Sequence, residues 1–172
     1  GRSMKRTGQA TIRAMRKDTE ARLRRVARAG EVFIDGDTFK DIVIDKTLFR
    51  GDAYRVDHEK FIRVKQALLK LKRLEPGDMG VLTWRRFEDA CAITVAVDSD
   101  PNRPSIPGKH PMSPAVEAAF KGGVGVQDLD FGGVPVLSVC APIRDSLDEV
   151  VGVVEVFASL QPDKLQANYI NY

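Results

Sequence analysis

Hydrophobic and polar residues follow two rhythms along this chain. From Thr11 to Phe33 the rhythm is helical, with Ile12, Thr19, Val26 and Phe33 recurring every seven residues. Met15, Leu23 and Ala29 fall near the same face, and arginines fill the opposite side. This predicts an amphipathic helix with a narrow apolar stripe, which packs on a sheet, on a twin helix, or on both. Gly36 and Asp37 mark a break, and Phe39, Ile42, Val43 and Ile44 read as a short helix beyond it. Residues 45–54 read as irregular. A second helical run starts at Asp57, an N-cap candidate, and places Phe61, Val64, Leu68 and Leu71 at spacings of three and four. Pro76 and Gly77 end it.

The rhythm then shortens to that of strands. Met79 to Arg86 and Cys91 to Val97 pair across Phe87-Glu88-Asp89-Ala90, a connection of hairpin length. Residues 98–111 carry four prolines and read as a loop. Ser113 and Pro114 form an N-cap followed by proline at the first helical position, so Ala115 to Phe120 is a brief helix, stopped at Gly122-Gly123. Val124 to Phe157 reads as three consecutive antiparallel strands. Gly132-Gly133 makes the first turn, and the polar loop from Arg144 to Glu149 makes the second. Valines dominate the last strand, Val150 to Phe157, which suits a strand covered on both faces. Helix, helix, two strands, short helix and three strands describe an α+β domain with an antiparallel sheet, since strands and helices do not alternate as in a parallel fold.

Composition narrows the class. The chain has 172 residues, 43% hydrophobic and 30% charged, enough for one globular core. No stretch approaches the roughly 20 apolar residues of a membrane span, and no signal-peptide core is present. Gly1-Arg2-Ser3-Met4 resembles a cloning remnant. Net charge is only +3, yet nine basic and two acidic residues lie between Lys5 and Arg28. Such a run is a solvated helix face, or it meets nucleic acid or an anionic membrane. It lacks interleaved aromatics and a second basic half, which argues against nucleic acid. Cys91 and Cys140 sit in apolar strand-like runs and read as core filling. No nucleophile motif surrounds them, and no HExxH, P-loop or GxGxxG pattern occurs. The two histidines make no metal cluster. The expectation is a protein that is not an enzyme and holds no cofactor or metal.

One resemblance covers most of the chain. The first helix, ending in Ile34-Asp35-Gly36-Asp37, resembles the membrane-emergent helix of the single Cache domain, a PAS-like extracytoplasmic sensor module of bacterial chemoreceptors, sensor histidine kinases and cyclases. Phe61 to Leu74 leading into Val81-Leu82-Thr83-Trp84 is similar to the passage that follows in that family. So are Ile93 to Asp98, Gly108 to Gly123, and the hairpin with Ala141-Pro142-Ile143 and Val150-Val151-Gly152. The order of these segments carries the resemblance. One departure concerns the turn after Ala141-Pro142-Ile143. The family usually has Arg/Lys-Asp-x-x-Gly there, and no glycine stands within Asp145 to Glu149, so the turn is longer or differently built. The tyrosine that the family carries just before its third helix is also missing near Pro111-Met112.

The resemblance implies a five-stranded antiparallel sheet in the order 2-1-5-4-3, with a long N-terminal helix and short helices covering one face. It implies one sensor domain over residues 5–160 and a tail, 161–172, leading toward a membrane span outside the segment. Cys91 and Cys140 would then lie on strands that are not neighbours, which leaves no disulfide. The implied function is a periplasmic ligand-binding sensor of a membrane-anchored receptor in chemotaxis or two-component signalling. Its ligand would be a small carboxylate such as acetate, or an amino acid. A homodimer would form through the stripe on the N-terminal helix. The alternatives are a cytosolic PAS-like or profilin-like interaction module without a small ligand, and a nucleic-acid binder.

A Cache pocket lies between one sheet face and the elements covering it, and a carboxylate there needs a guanidinium, hydroxyls or backbone N–H groups. Trp84, Arg85 and Arg86 form the first candidate element. Strand alternation puts Trp84 and Arg86 on one face and Arg85 on the other. Either one arginine enters the cavity or both reach solvent at the strand end. Ser138, inside an apolar strand, serves a ligand or the backbone. Asp128 and Asp130 bind an ammonium group or are exposed edge charges. Tyr54 and His58 near the second helix, and Lys109 and His110 in the proline-rich loop, stand at a lid or mouth or simply on the surface.

Overall fold

Valine-rich strands bury best when both faces are covered, and the fold puts the richest one inside. The computed structural model describes residues 2–42, 58–97 and 110–161. Its strands are β1 (Gly80–Phe87), β2 (Ala90–Ala96), β3 (Gly125–Phe131), β4 (Val134–Arg144) and β5 (Val150–Ser159). They form one antiparallel sheet in the order β2-β1-β5-β4-β3, as expected. β5 lies between β1 and β4, which accounts for its valines. Gly132 and Gly133 take φ of 62° and 88°, the left-handed pair that a two-residue hairpin turn needs.

Helices cover both faces of this sheet. α1 (Arg2–Phe33), α2 (Gly36–Lys40) and α3 (His58–Lys72) lie on one side, and α4 (Pro114–Phe120) lies on the other. Val154 and Val156 of β5 face the first group, with Leu23, Leu68 and Val139. Val153 and Phe157 face α4, with Trp84 and Cys140. Cys91 and Cys140 are both buried, and neither is in a disulfide.

Two local readings of the first helix change. It begins at Arg2, well before Thr11. Its buried stripe is Leu23, Val26, Ala27, Gly30 and Ile34, while Ile12 is 65% and Phe33 43% exposed. Packing on a sheet selects the 3.6-residue period: Val26 of the seven-residue repeat is buried in this stripe, while Ile12 and Phe33 are left outside it. The helix break falls at Ile34-Asp35 instead of Gly36-Asp37. Asp35 caps α2, its Oδ1 accepting from Asp37 N at 3.0 Å and Thr38 N at 3.4 Å. Val43, Ile44 and Asp57 lie outside the described residues.

Four arginines of the basic run of α1 pair with acids. Arg22 pairs with Asp18 at 2.9 Å and Arg24 with Glu20 at 3.2 Å, both one helical turn apart. Arg25 reaches Glu75 beyond α3 at 2.7 Å, and Arg16 reaches Asp128 on β3. The last two contacts tie the solvated face of the helix to its neighbours.

The β4–β5 turn forms without glycine. Asp148 occupies the position where the family pattern has that residue and takes φ 63° itself, a conformation aspartate tolerates. Asp145 Oδ1 accepts from Leu147 N at 3.0 Å and Glu149 N at 2.9 Å. Its Oδ2 meets Lys40 Nζ at 3.2 Å. Asp37 Oδ1 accepts from Ser146 N at 3.2 Å and Ser146 Oγ at 3.1 Å. α2 is thereby latched to the turn.

The latch predicts a pH response. The Glu149 N–H, then Lys40 and the Leu147 N–H, hold the Asp145 carboxyl below its ordinary value against the opposing effect of desolvation. The Ser146 N–H and hydroxyl, then Lys40, do the same for Asp37. Folded-state values below the unfolded ones mean that this stabilisation is complete above the usual carboxylate pKa of about 3.9 and is lost as pH falls through the depressed values. In thermal melts from pH 7 to pH 2, Asp145→Asn is expected to lower Tm at neutral pH and to flatten the acid limb. An acid limb as steep as the wild type's would count against the latch.

Candidate functional site

The α4 face of the sheet brings a cluster of polar side chains, set among apolar ones, beside a cavity. Ser113 caps α4, its Oγ accepting from Val116 N at 3.3 Å, and Pro114 opens the first turn. The segment before it is pinned to β2 by paired bonds, His110 N to Cys91 O at 2.8 Å and Cys91 N to His110 O at 3.0 Å. Between this segment, α4 and the sheet lies a hollow of about 340 Å³, lined by Trp84, Cys91, His110, Met112 and Val116 among others. It adjoins a wider cleft of about 700 Å³ that bears Arg86, Asp89, Glu117 and Lys121. His110, Pro111 and Met112 border both.

The inner hollow is mainly apolar and the outer cleft is charged in both signs. Arg86 holds its guanidinium carbon 5.1 Å from the Phe120 ring centroid, a cation–π seat that orients it at the rim. Lys121 pairs with Glu117 at 3.2 Å along α4. The His110 ring stands edge-on to Trp84, centroids 5.5 Å apart. Behind the Trp84 wall, its Nε1–H donates to Glu155 Oε1 at 2.8 Å. Ser138 Oγ donates to Glu155 Oε2 at 2.9 Å, and Gln127 Nε2 donates to Ser138 Oγ at 3.3 Å.

The candidate residues separate by face. Trp84, Arg86 and His110 meet at the cleft. Ser138 lies on the same face but is fully buried behind it, bonded to Glu155. Arg85 points to the opposite face, where its Nη1 donates to the Ile42 carbonyl and burial pushes the guanidinium pKa down. Alternation along β1 allows only one of the two arginines at the cleft. Asp128 also faces away, paired with Arg16 of α1, because β3 alternation sends Gln127 and Leu129 toward α4. Asp130 Oδ1 accepts from Gly133 N at 2.6 Å and serves the hairpin turn. Tyr54 and Lys109 lie outside the described residues. So does the side chain of His58, the first residue of α3. Among the described residues, no three of His, Cys, Asp and Glu gather where they could hold a metal.

Sequence reasoning passed over Asp89, Glu117 and Lys121 on the rim, which read only as surface charges, and Glu155 behind the Trp84 wall. The signal for Glu155 was present: one carboxylate inside a valine-rich strand expected to be covered on both faces. A buried carboxylate needs donors, and the structure supplies them from β1 and β4.

No protein-family model matches the chain, and no curated protein matches it. Solved structures resemble it to different degrees. The ligand-binding domain of the Campylobacter jejuni chemoreceptor Tlp3, in complex with L-valine, superposes with a TM-score of 0.50 at 12% identity, over 88% of this chain and 58% of that one. The sensory domain of Tlp3 with isoleucine bound gives 0.49 at 11%, over 88% and 58%. The A. aeolicus nlh2 GAF domain in an inactive state gives 0.40 at 15%, over 83% and 88%. The chain thus spans 58% of the Tlp3 domain, and at this identity the likeness is one of fold. The α+β fold is one that chemoreceptor sensory domains use.

Proposed function

We propose that this chain is the ligand-binding sensor domain of a transmembrane signalling receptor, chemotactic or two-component, and that the cleft beneath α4 takes a small organic acid or amino acid. The observation that carries this is the cleft itself: an apolar chamber walled by Trp84 opens onto a rim with Arg86. A ligand carboxylate would meet Arg86, and its hydrocarbon part would lie inward against Trp84 and Val116. For an amino acid, Asp89 or Glu117, which line the same cleft, would take the ammonium group. The Tlp3 domain, which shares the fold, is seen with L-valine and with isoleucine. Acetate belongs to the same class at the small end.

In this proposal residues 5–160 are one sensor domain, and residues 161–172 lead toward a membrane span. The domain sits in the periplasm, anchored by the rest of its receptor. No helix among the described residues is long and apolar enough to cross a membrane itself. Ile12 and Met15, exposed on α1, are the surface for a second copy. Ligand closure of the cleft would shift β1 and β5 against α1. Such a shift needs different affinities in the two states.

A thermal-shift screen of short carboxylates and amino acids tests the proposal. Ligand at 100 times its Kd is expected to stabilise the domain by about 2.7 kcal/mol. Arg86→Ala is expected to abolish the response to carboxylates while leaving the unliganded Tm close to the wild type's, since Arg86 is exposed. A screen with no response in any compound would favour an interaction module without a ligand. A full response in Arg86→Ala would remove Arg86 as the anchor.

A further inference from the structure

We propose that Glu155 is a positioning residue of the cleft: by holding the Trp84 indole N–H it fixes the orientation of the inner wall and so sets which hydrocarbon shapes the chamber admits. The inference rests on the proposal that the cleft takes a small ligand. Four side chains on four adjacent strands make one hydrogen-bonded row: Gln127 on β3, Ser138 on β4, Glu155 on β5 and Trp84 on β1. The register brings them together. Cys140 and Leu82 are the two cross-strand partners of Glu155, and Trp84 lies two residues beyond Leu82 on the same face.

The donors converge from both sides. Ser138 reaches Oε2 at 2.9 Å and the indole reaches Oε1 at 2.8 Å, and Glu155 is 1% exposed. Glu155 is not part of the lining of either hollow, so it acts on a ligand through Trp84, which lines the inner one. A well-packed apolar side chain at such a site often gives equal or greater stability than a buried charged one. What the carboxylate adds is direction. The indole torsion has broad wells, and one hydrogen bond from its only polar atom selects among them. The His110 edge then meets a ring already held in place. A wall of fixed angle discriminates between straight and branched chains, whereas a freely turning one adapts to both.

The experiment compares Glu155→Gln, which retains an acceptor, with Glu155→Met, which does not. The first readout needs no ligand: the indole N–H resonance of Trp84, the sole tryptophan, in a ¹⁵N-labelled domain. Wild type and Glu155→Gln are expected to show a downfield, exchange-protected resonance, and Glu155→Met a shifted, faster-exchanging one. The second readout is the affinity ratio between straight and branched isomers of four- to six-carbon acids. This ratio is expected to fall roughly tenfold in Glu155→Met and to be retained in Glu155→Gln, the order of effect that hydrocarbon shape has in a pocket. An indole resonance unchanged in Glu155→Met overturns the proposal. So does an affinity loss equal for all isomers. If Glu155→Met does not fold, Trp84→Phe removes the N–H while keeping a ring, and an unchanged ratio there overturns it equally. A wild-type domain that binds no acid or amino acid refutes the selectivity role together with the ligand proposal, and the indole resonance then reports on the tether alone.

Discussion

Trp84→Ala is expected to destabilise the domain by about 3–5 kcal/mol, the usual range for emptying a buried aromatic site. Trp84 is 1% exposed and is the largest of the fully buried side chains. It sits on β1 opposite Val153 of β5 and Ile93 of β2, so its ring packs where three strands meet α4. Truncation opens the inner hollow into the sheet and withdraws the indole donor from Glu155 Oε1. Both effects act in the same direction, because a buried acceptor that loses a donor carries a desolvation cost. Against a total stability of roughly 5–15 kcal/mol, the loss is a large fraction. For a domain of this size it corresponds to a fall in Tm of roughly 6–20 °C. Circular dichroism is the suitable probe, since the substitution removes the only tryptophan. A loss under about 1 kcal/mol would contradict the burial of this ring.

The same residue shows what the chain made legible and what it did not. Alternation placed Trp84 and Arg86 on one face and Arg85 on the other, and the structure has them so. Which face holds the cleft depends on where α4 docks, and no local pattern encodes that. Asp128 illustrates the gap: as a strand carboxylate it suited an ammonium ligand, but its face belongs to α1 and Arg16. Turns and caps were readable because their chemistry is local. Ser113-Pro114 and Gly132-Gly133 each act within a few residues. The Asp35 cap was equally local but was masked by the more familiar Gly36-Asp37 break signal. Glu155 was hidden for the opposite reason. Its partner Ser138 lies 17 residues away across the β4–β5 hairpin, but Trp84 lies 71 away, and only the strand order 2-1-5-4-3 brings the indole to it. That order came from the family resemblance and not from periodicity.

Gly36→Ala is expected to cost about 3 kcal/mol although it adds only one methyl group. A Cβ built at Gly36 would lie 2.0 Å from Arg144 O, 2.5 Å from Arg144 C and 2.9 Å from Asp145 N. All three are backbone atoms, so no side-chain rotation relieves the clash. α2 would have to lift from the β4–β5 turn, and overpacking of this kind costs about 1–3 kcal/mol before any further contact is lost. Further contacts would be lost. Lys40–Asp145 and Asp37–Ser146 span this joint, and Phe39, fully buried, rests against Gly152. Two consequences separate this mechanism from a general weakening. Gly123→Ala, whose nearest backbone contact would be 3.4 Å, should change stability by no more than about 0.5 kcal/mol. Gly36→Ala should also lose the part of the acid-dependent unfolding that Asp37 and the Lys40 contact of Asp145 supply, because Ser146 and Lys40 act across this joint, whereas the Glu149 and Leu147 N–H bonds to Asp145 stay within the turn. A variant that melts lower but keeps the full acid limb would mean that α2 remains seated and that the strain is absorbed elsewhere. A variant that melts like the wild type would mean that α2 and the turn do not meet at this distance.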